Sequence, residues 1–184
     1  MNVTADRTRL IHESYSAPSL RLALKSDGAP AGLLDGAWWP HSRDLLRELP
    51  ALTDALDPRR GRITRISVNP ARWPVIPRKV PVTGHVVKVG WFKVEQDPHK
   101  VVLLSYRIGR WDLLVIPPET NSATAARLMA AAIDPGARLT ASALVAADDT
   151  AQAATVELRT QEDKWESDGG SAPVTATPSK TCGV

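Results

Sequence analysis

The alternation of hydrophobic and polar residues predicts five strands separated by turns rich in glycine and proline. The first strand, residues 19–25, places Leu20, Leu22 and Leu24 on one face and two charged residues on the other, which is the two-residue period of a half-buried strand. A short glycine-containing loop between the last two strands favours an antiparallel hairpin. The four later strands, rich in β-branched or continuous apolar residues, cover residues 62–68, 85–93, 101–107 and 111–116.

Apolar residues at helical spacing predict two helices. In the first, residues 43–56, leucines recur on one face after Ser42, which is a suitable N-cap. Pro50 predicts a break in this helix, because proline lacks the amide donor and clashes with the preceding turn. The second helix begins at residue 121 or 122 and ends at residue 133. Residues 140–147 are compatible with one further short helix.

The order of these elements predicts an α+β fold. Clustered strands with helices at either end are typical of a mainly antiparallel sheet, here of about five strands, open or barrel-like, with two flanking helices. A parallel α/β sheet requires a helix between successive strands, and the middle of the chain has none. We expect a flexible N-terminus over residues 1–18, a single domain over residues 19–147, and a mostly disordered acidic tail over residues 148–184.

Length and composition exclude several classes of protein. The 184 residues correspond to about one domain, with ordinary hydrophobic (43%) and charged (23%) fractions. Cys182 is the only cysteine, so neither an internal disulfide nor a cysteine-based zinc site can form. The first residues lack the apolar core of a signal peptide, and no apolar run approaches the ~18 residues of a membrane span. We therefore expect a cytoplasmic protein without a membrane segment.

The net charge of +3 hides a strong segregation along the chain. Residues 58–111 contain twelve Lys and Arg against two acids, a net charge of +10, whereas residues 148–184 contain three against seven, a net charge of −4. The basic segment also contains five of the nine aromatic residues. Cations beside aromatic rings are typical of single-stranded nucleic acid binding, because cations neutralise phosphates and rings stack on bases.

These features support the hypothesis of a non-enzymatic binding module. Its basic sheet face would contact nucleic acid or another polyanion, with an anionic protein as the alternative partner. A solvated basic face, which discourages edge pairing of strands, explains the same charges and is the competing interpretation. The candidate contact residues are Arg62, Arg65, Lys88, Phe92, Lys93, Tyr106, Arg107 and Arg110.

No familiar catalytic motif occurs in the sequence. It contains no nucleophile elbow, no phosphate-binding loop and no histidine pair at metal-ligating spacing, so it assigns no catalytic, cofactor-binding or metal-binding residue. The alternative to the binding module is a small-ligand or enzymatic pocket. Its candidate residues are Asp35, Trp38, Trp39, His41 and Arg43. A purely structural role at a strand-to-helix junction is the preferred interpretation of the same residues.

The box DGAWWP at residues 35–40, followed by Ser-Arg-Asp at residues 42–44, resembles a family of uncharacterised actinobacterial proteins, a domain of unknown function marked by a DGAWWP-x-S-R-D box. The likeness extends over roughly residues 19–133. It implies an actinobacterial cytoplasmic protein and no activity, cofactor or catalytic residue. The run at residues 165–170 is similar to a short box near the end of family members. This similarity supports a third hypothesis, a protein-interaction adaptor that uses Trp165.

Overall fold

The computed structural model describes residues 19–30, 32–106 and 109–168, with side chains as far as Trp165. These ranges contain ten regular elements. In chain order they are β1 (Leu22–Leu24), β2 (Gly36–Trp38), α1 (Leu45–Arg60), β3 (Ile63–Val68), β4 (Lys79–Val82), β5 (His85–Trp91), β6 (Lys100–Ser105), β7 (Gly109–Val115), α2 (Ser122–Ile133) and α3 (Ala141–Asp168).

The strands form one sheet in the order β1-β2-β7-β6-β3-β5-β4. Two pairs, β2–β7 and β3–β5, are parallel, and the other four pairs are antiparallel. The described part of the chain is therefore an α+β fold with a seven-stranded, mixed and open sheet and three helices. The expectation of a mainly antiparallel sheet of about five strands, open or barrel-like, with two flanking helices was therefore wrong in strand number, strand direction, the barrel-like alternative and helix number.

The parallel pair β3–β5 has a physical explanation that the sequence argument missed. The connection between them contains no helix but a proline-rich loop and β4, which folds back on the outer side of β5. Gly84 allows the tight turn between β4 and β5, since its φ of 76° is unfavourable for other residues. Pro81 is tolerated in β4 because this strand lies at the sheet edge. The crossover from β3 to β5 therefore consists of this loop and β4.

Helix α1 differs from the prediction at its start and in its middle. Its N-cap is Asp44, whose Oδ1 accepts a hydrogen bond from the backbone N–H of Leu46 at 2.9 Å, whereas Ser42 donates to Glu48. The helix continues through Pro50 to Arg60 without the expected break. Burial of its leucines against the sheet outweighs the lost hydrogen bond. The buried leucines of α1 are Leu45, Leu49, Leu52 and Leu56.

The two faces of the sheet are covered to different extents. Helix α1 and the main hydrophobic core cover one face across β3 to β7. On the other face, a smaller cluster between α2, the start of α3 and the strands β2 and β7 covers only one half. The same face of β3, β4, β5 and β6 carries exposed residues such as Arg65 and Lys88. We call this part the open face.

Helix α3 extends beyond the expected short helix. It reaches Asp168, so residues 148–168, assigned to the tail by the sequence, are helical in this structure, while residues 1–18 and 169–184 lie outside the described ranges. None of the helices in the described ranges combines the length and hydrophobicity that a membrane span requires.

Candidate functional site

Four cations lie in one row across the open face. Lys79 is the register partner of Lys88, and Lys88 is the partner of Arg65. Arg65 also pairs with Leu104, which in turn pairs with Arg110. Register partners point to the same face of a sheet, and neighbouring strands are about 4.8 Å apart. We call Lys79, Lys88, Arg65 and Arg110 the cation row.

Three members of the cation row have no acidic partner within the described ranges: Lys79, Lys88 and Arg65 form no ion pair there. Arg110 instead donates two hydrogen bonds to Asp112, at 2.7 and 2.9 Å, and these raise the pKa of its guanidinium. Like charges opposite one another in neighbouring strands destabilise a sheet. The row therefore costs stability unless an anion neutralises it.

A concave cavity of about 750 Å³ lies over the open face, within the size range of ligand sites. Its lining combines the cation row with Gly90, Val102 and Leu104. Trp91 and Phe92, each about half exposed, are also among the lining residues. Cations, apolar surface and aromatic rings thus meet in one concavity, which suits a ligand that is both anionic and flat.

The loop between β5 and β6, which follows the two rings, is held by a buried amide. Gln96 accepts a hydrogen bond from Ser67 Oγ at 2.7 Å and donates to the carbonyl oxygens of Ser67 and Lys100, both at 2.8 Å. Asn69 Nδ2 donates to the carbonyl oxygen of Gln96 at 2.7 Å. These bonds tie the loop to β3 and β6, so the cavity wall that follows Phe92 has a fixed position.

The structure brings together four of the eight predicted contact residues: Arg65, Lys88, Phe92 and Arg110 line the cavity. Three others, Arg62, Lys93 and Tyr106, are exposed but do not line it, and Arg107 lies outside the described ranges.

Among the cationic and aromatic residues that line the cavity, sequence reasoning missed four: Arg78, Lys79, Trp91 and Lys100. Lys79 belongs to the unrecognised strand β4. The two-residue period placed Trp91 on the buried face of β5, beside its register partner Val68; as the last residue of the strand it is nevertheless half exposed. The adjacent Arg-Lys pair at residues 78–79 was the available signal.

The start of the DGAWWP box joins β1, β2 and β7. Asp35 Oδ2 accepts a hydrogen bond from the backbone N–H of Asp112 at 2.8 Å, which fixes β2 beside β7. A Cβ at Gly36 would lie only 2.2 Å from the carbonyl oxygen of Ala23, so a residue without a side chain is needed where β1 approaches. Both residues have structural functions here.

The two tryptophans of the box point in different directions. Trp38 is fully buried and stacks on Trp73, with ring centroids 5.7 Å apart. Trp39 lies under the guanidinium of Arg21, 3.5 Å from the ring centroid, and its Nε1 donates to the carbonyl oxygen of Pro117 at 3.2 Å. The pair anchors the segment that leads into α1.

His41 and Arg43 also bind to different parts of the fold. A ring nitrogen of His41 lies 2.9 Å from the carbonyl oxygen of Ser19. Arg43 donates to the carbonyl oxygen of Arg72 at 2.9 Å and forms an ion pair with Glu119. A cavity of about 160 Å³ is lined by Trp38, Trp39 and His41 but by neither Asp35 nor Arg43. The five predicted pocket residues therefore do not converge, and this cavity is smaller than the roughly 300 Å³ of ligand sites.

A polar chain connects the loop before β6 to the start of α3. Arg72 donates to Nε2 of His99, whose Nδ1 lies 3.1 Å from Ser142 Oγ, and Ser142 donates to Asp97 at 2.5 Å. In a serine hydrolase the histidine accepts the serine proton. Here the serine hydroxyl donates to a carboxylate instead, so the arrangement does not activate Ser142. It joins two elements.

The same contacts shift two pKa values. Burial lowers the pKa of His99, and the positive charge of Arg72 lowers it further. Burial alone would raise the pKa of Asp97, but hydrogen bonds from the side chain and backbone of Ser142 outweigh it and hold this pKa below its usual value. The other charges acting on His99 come from Asp97, Asp149 and Arg43.

Two further observations concern metals and the adaptor hypothesis. Within the described ranges, no group of three or more His, Cys, Asp or Glu side chains could hold a metal ion. Trp165, on the last part of α3, is 80% exposed, so it does not dock on the described domain.

Comparisons with known proteins give the family and no relative of known activity. No curated protein and no solved structure matches the chain. The model of a family of unknown function (DUF5994) matches residues 21–132, which is more than half of the chain. The match includes the DGAWWP box, β1 to β7, α1 and all but the last residue of α2. The chain therefore belongs to this family of unknown function.

Proposed function

We propose that the protein is a non-enzymatic binding module whose open face binds nucleic acid or another polyanion. The observation that carries the proposal is the cation row, in which three neighbouring cations have no acidic partner within the described ranges. Folding places these charges side by side at a cost in free energy. Phosphates bound along the row would offset this cost and would release condensed counterions.

The test is binding of a labelled single-stranded oligonucleotide of about 12 nucleotides over a range of salt concentrations. The variant Arg65→Gln/Lys79→Gln/Lys88→Gln removes three charges from the row. Each phosphate contact contributes about 0.7 to the slope of log affinity against log salt for single strands, so we expect the slope to fall by about 2.

A matched control removes the same charge from exposed sites elsewhere, by Arg59→Gln/Arg138→Gln/Arg159→Gln. This control should retain both the affinity and the salt slope. If the two triple variants lose affinity equally, binding depends only on net charge, and the proposal is wrong.

A further inference from the structure

We infer that the cavity over the open face holds one unpaired nucleobase, with its phosphates on the cation row. The inference rests on the proposed function and narrows the polyanion to a nucleotide ligand. A single strand and a free nucleotide offer this same chemistry.

The aromatic rings distinguish nucleotides from other polyanions. Trp91 and Phe92 are adjacent in the chain, 49% and 51% exposed, and both line the cavity together with the cations. A sulfated polysaccharide or an acidic peptide brings charges to the row but does not carry a flat aromatic base at every unit. Every nucleobase has a flat face that stacks on such rings, whatever its identity.

Gly90, which lines the cavity, could carry a side chain without a steric clash. Gly90 lies on the open face, next to Ser67 in the register of β3 and β5. A Cβ at this position would meet nothing closer than the carbonyl oxygen of Ile66, at 3.9 Å. A side chain is therefore sterically allowed at Gly90, and its absence leaves a depression in the lining of the cavity.

This depression favours an unpaired base over a duplex. In a duplex the base faces are stacked on one another and only the backbone is available to the row. An unpaired base can leave the stack and lie against Trp91 or Phe92, as in other single-strand binding sites. The volume of about 750 Å³ is that of a site for a small ligand rather than for a double helix.

The decisive variant is Gly90→Val, which adds a side chain to the lining of the cavity and changes no charge. Valine suits a strand, so folding should be preserved, and an unchanged circular dichroism spectrum and unfolding midpoint will establish this. At about 0.15 M salt we expect the affinity for a single-stranded oligothymidylate of about 12 residues to fall by about tenfold. The affinity for a duplex of equal length and for heparin should stay within about twofold, because these use the row alone.

Two further variants complete the experiment. Val86→Leu adds volume at an exposed position of β5 that does not line the cavity, and it should leave all affinities unchanged. Trp91→Ala, at a half-exposed position, should weaken single-strand binding as Gly90→Val does, so the test survives if the valine variant does not fold. If thymidine monophosphate competes with the oligothymidylate, a free nucleotide is a ligand of the site. If it does not compete, the ligand is a single-stranded nucleic acid.

The outcomes separate this inference from the proposed function. If the triple row variant loses affinity while Gly90→Val and Trp91→Ala bind oligothymidylate normally, the row binds polyanions but the cavity holds no base. If heparin binding falls as much as single-strand binding in Gly90→Val, the inference is also overturned. If the row variant itself binds normally, the proposed function fails as well.

Discussion

Gln96 shows how one side chain can hold a wall of the candidate site. It is 7% exposed and forms three hydrogen bonds, with Ser67 Oγ and with the carbonyl oxygens of Ser67 and Lys100. Buried polar groups that lose their partners cost free energy, because they have already given up their contacts with water. The loop position therefore depends on this amide more than on the exposed residues around it.

We expect Gln96→Ala to lower the free energy of unfolding by about 1–3 kcal/mol, because the buried hydroxyl and carbonyl of Ser67 and the partly buried carbonyl of Lys100 lose a partner. Urea denaturation measures the change. The neighbouring Glu95→Ala removes an exposed side chain and should change the free energy by less than about 0.5 kcal/mol. Equal effects of the two substitutions would contradict the assigned function of Gln96.

His99 makes stability depend on pH. Its pKa is lowered in the folded state by burial and by Arg72, so the unfolded state binds more protons as the pH falls. The free energy of unfolding should therefore decline between about pH 7 and about pH 5. Asp97, whose pKa is also lowered, contributes a further decline only at more acidic pH.

His99→Gln should flatten the decline in the free energy of unfolding between about pH 7 and about pH 5. Denaturant titrations at several pH values measure this slope. The same substitution at the exposed His41 serves as the control and should leave the slope in place. An unchanged slope in His99→Gln would show that another group titrates in this range.

At the scale of elements, α3 has two parts with different functions. Its start packs on α2 and β7 through Ala141 and Leu144, and Arg127 of α2 forms an ion pair with Asp148. Beyond Gln152 every described side chain is exposed. Only the first part of α3 therefore contributes to the core.

Leu144→Ala should lower the free energy of unfolding by about 2–5 kcal/mol, because it leaves a cavity at a position that is 6% exposed. Leu158→Ala makes the same chemical change on the same helix at a position that is 61% exposed. It should have an effect close to zero, since alanine favours helices at least as much as leucine. Thermal and urea denaturation of both variants test this contrast, and similar losses would contradict it.

The periodicity of the sequence predicts best those helices and strands whose own residues favour one secondary structure. Strands β3, β5, β6 and β7 and helix α2 lie within about two residues of their predicted bounds, because β-branched runs and spaced apolar residues dominate there. Strands β2 and β4 were missed. Strand β2 has only three residues and β4 contains Pro81, so neither shows a clear alternation of apolar and polar residues. Their pairing partners lie in β7 and β5, so tertiary contacts define them.

The candidate site follows the same rule. The strand period separates Lys88 from the buried face of β5, but that Arg65 of β3 lies beside it follows only from the register of the two strands. The positions of Lys79 and Arg110 at the two ends of the cation row depend on the order of the strands in the sheet. A single sequence does not reveal this order. For Pro50, packing of the leucines against the sheet outweighed a local preference that favoured a break.

At the scale of the whole molecule, opposite charges are separated along the chain. Residues 156–184 contain five acids and three Lys or Arg, a net charge of −2, opposite in sign to the cation row. The field of a whole protein adds to local contacts when salt is low and is screened when salt is high.

Deletion of residues 156–184 should raise the affinity for a single-stranded oligonucleotide about twofold at ~0.05 M salt and leave it unchanged at ~0.5 M salt. Titrations at the two salt concentrations measure the difference. Trp165→Ala keeps the charge and should not change the affinity at either concentration. If it changes the affinity as much as the deletion does, the indole rather than the charge is responsible.

The cation row exists only after the sheet has assembled, because Arg65, Lys79, Lys88 and Arg110 belong to four different strands. The unfolded chain has the same charges but scatters them. A ligand that fits the row therefore protects the native state, and at about 100 times its dissociation constant it adds about 2.7 kcal/mol to the free energy of unfolding. A polyanion attracted by charge alone binds both the folded and the unfolded chain, so it shifts the melting temperature little. Melting curves can thus rank unknown ligands before any activity has been assigned.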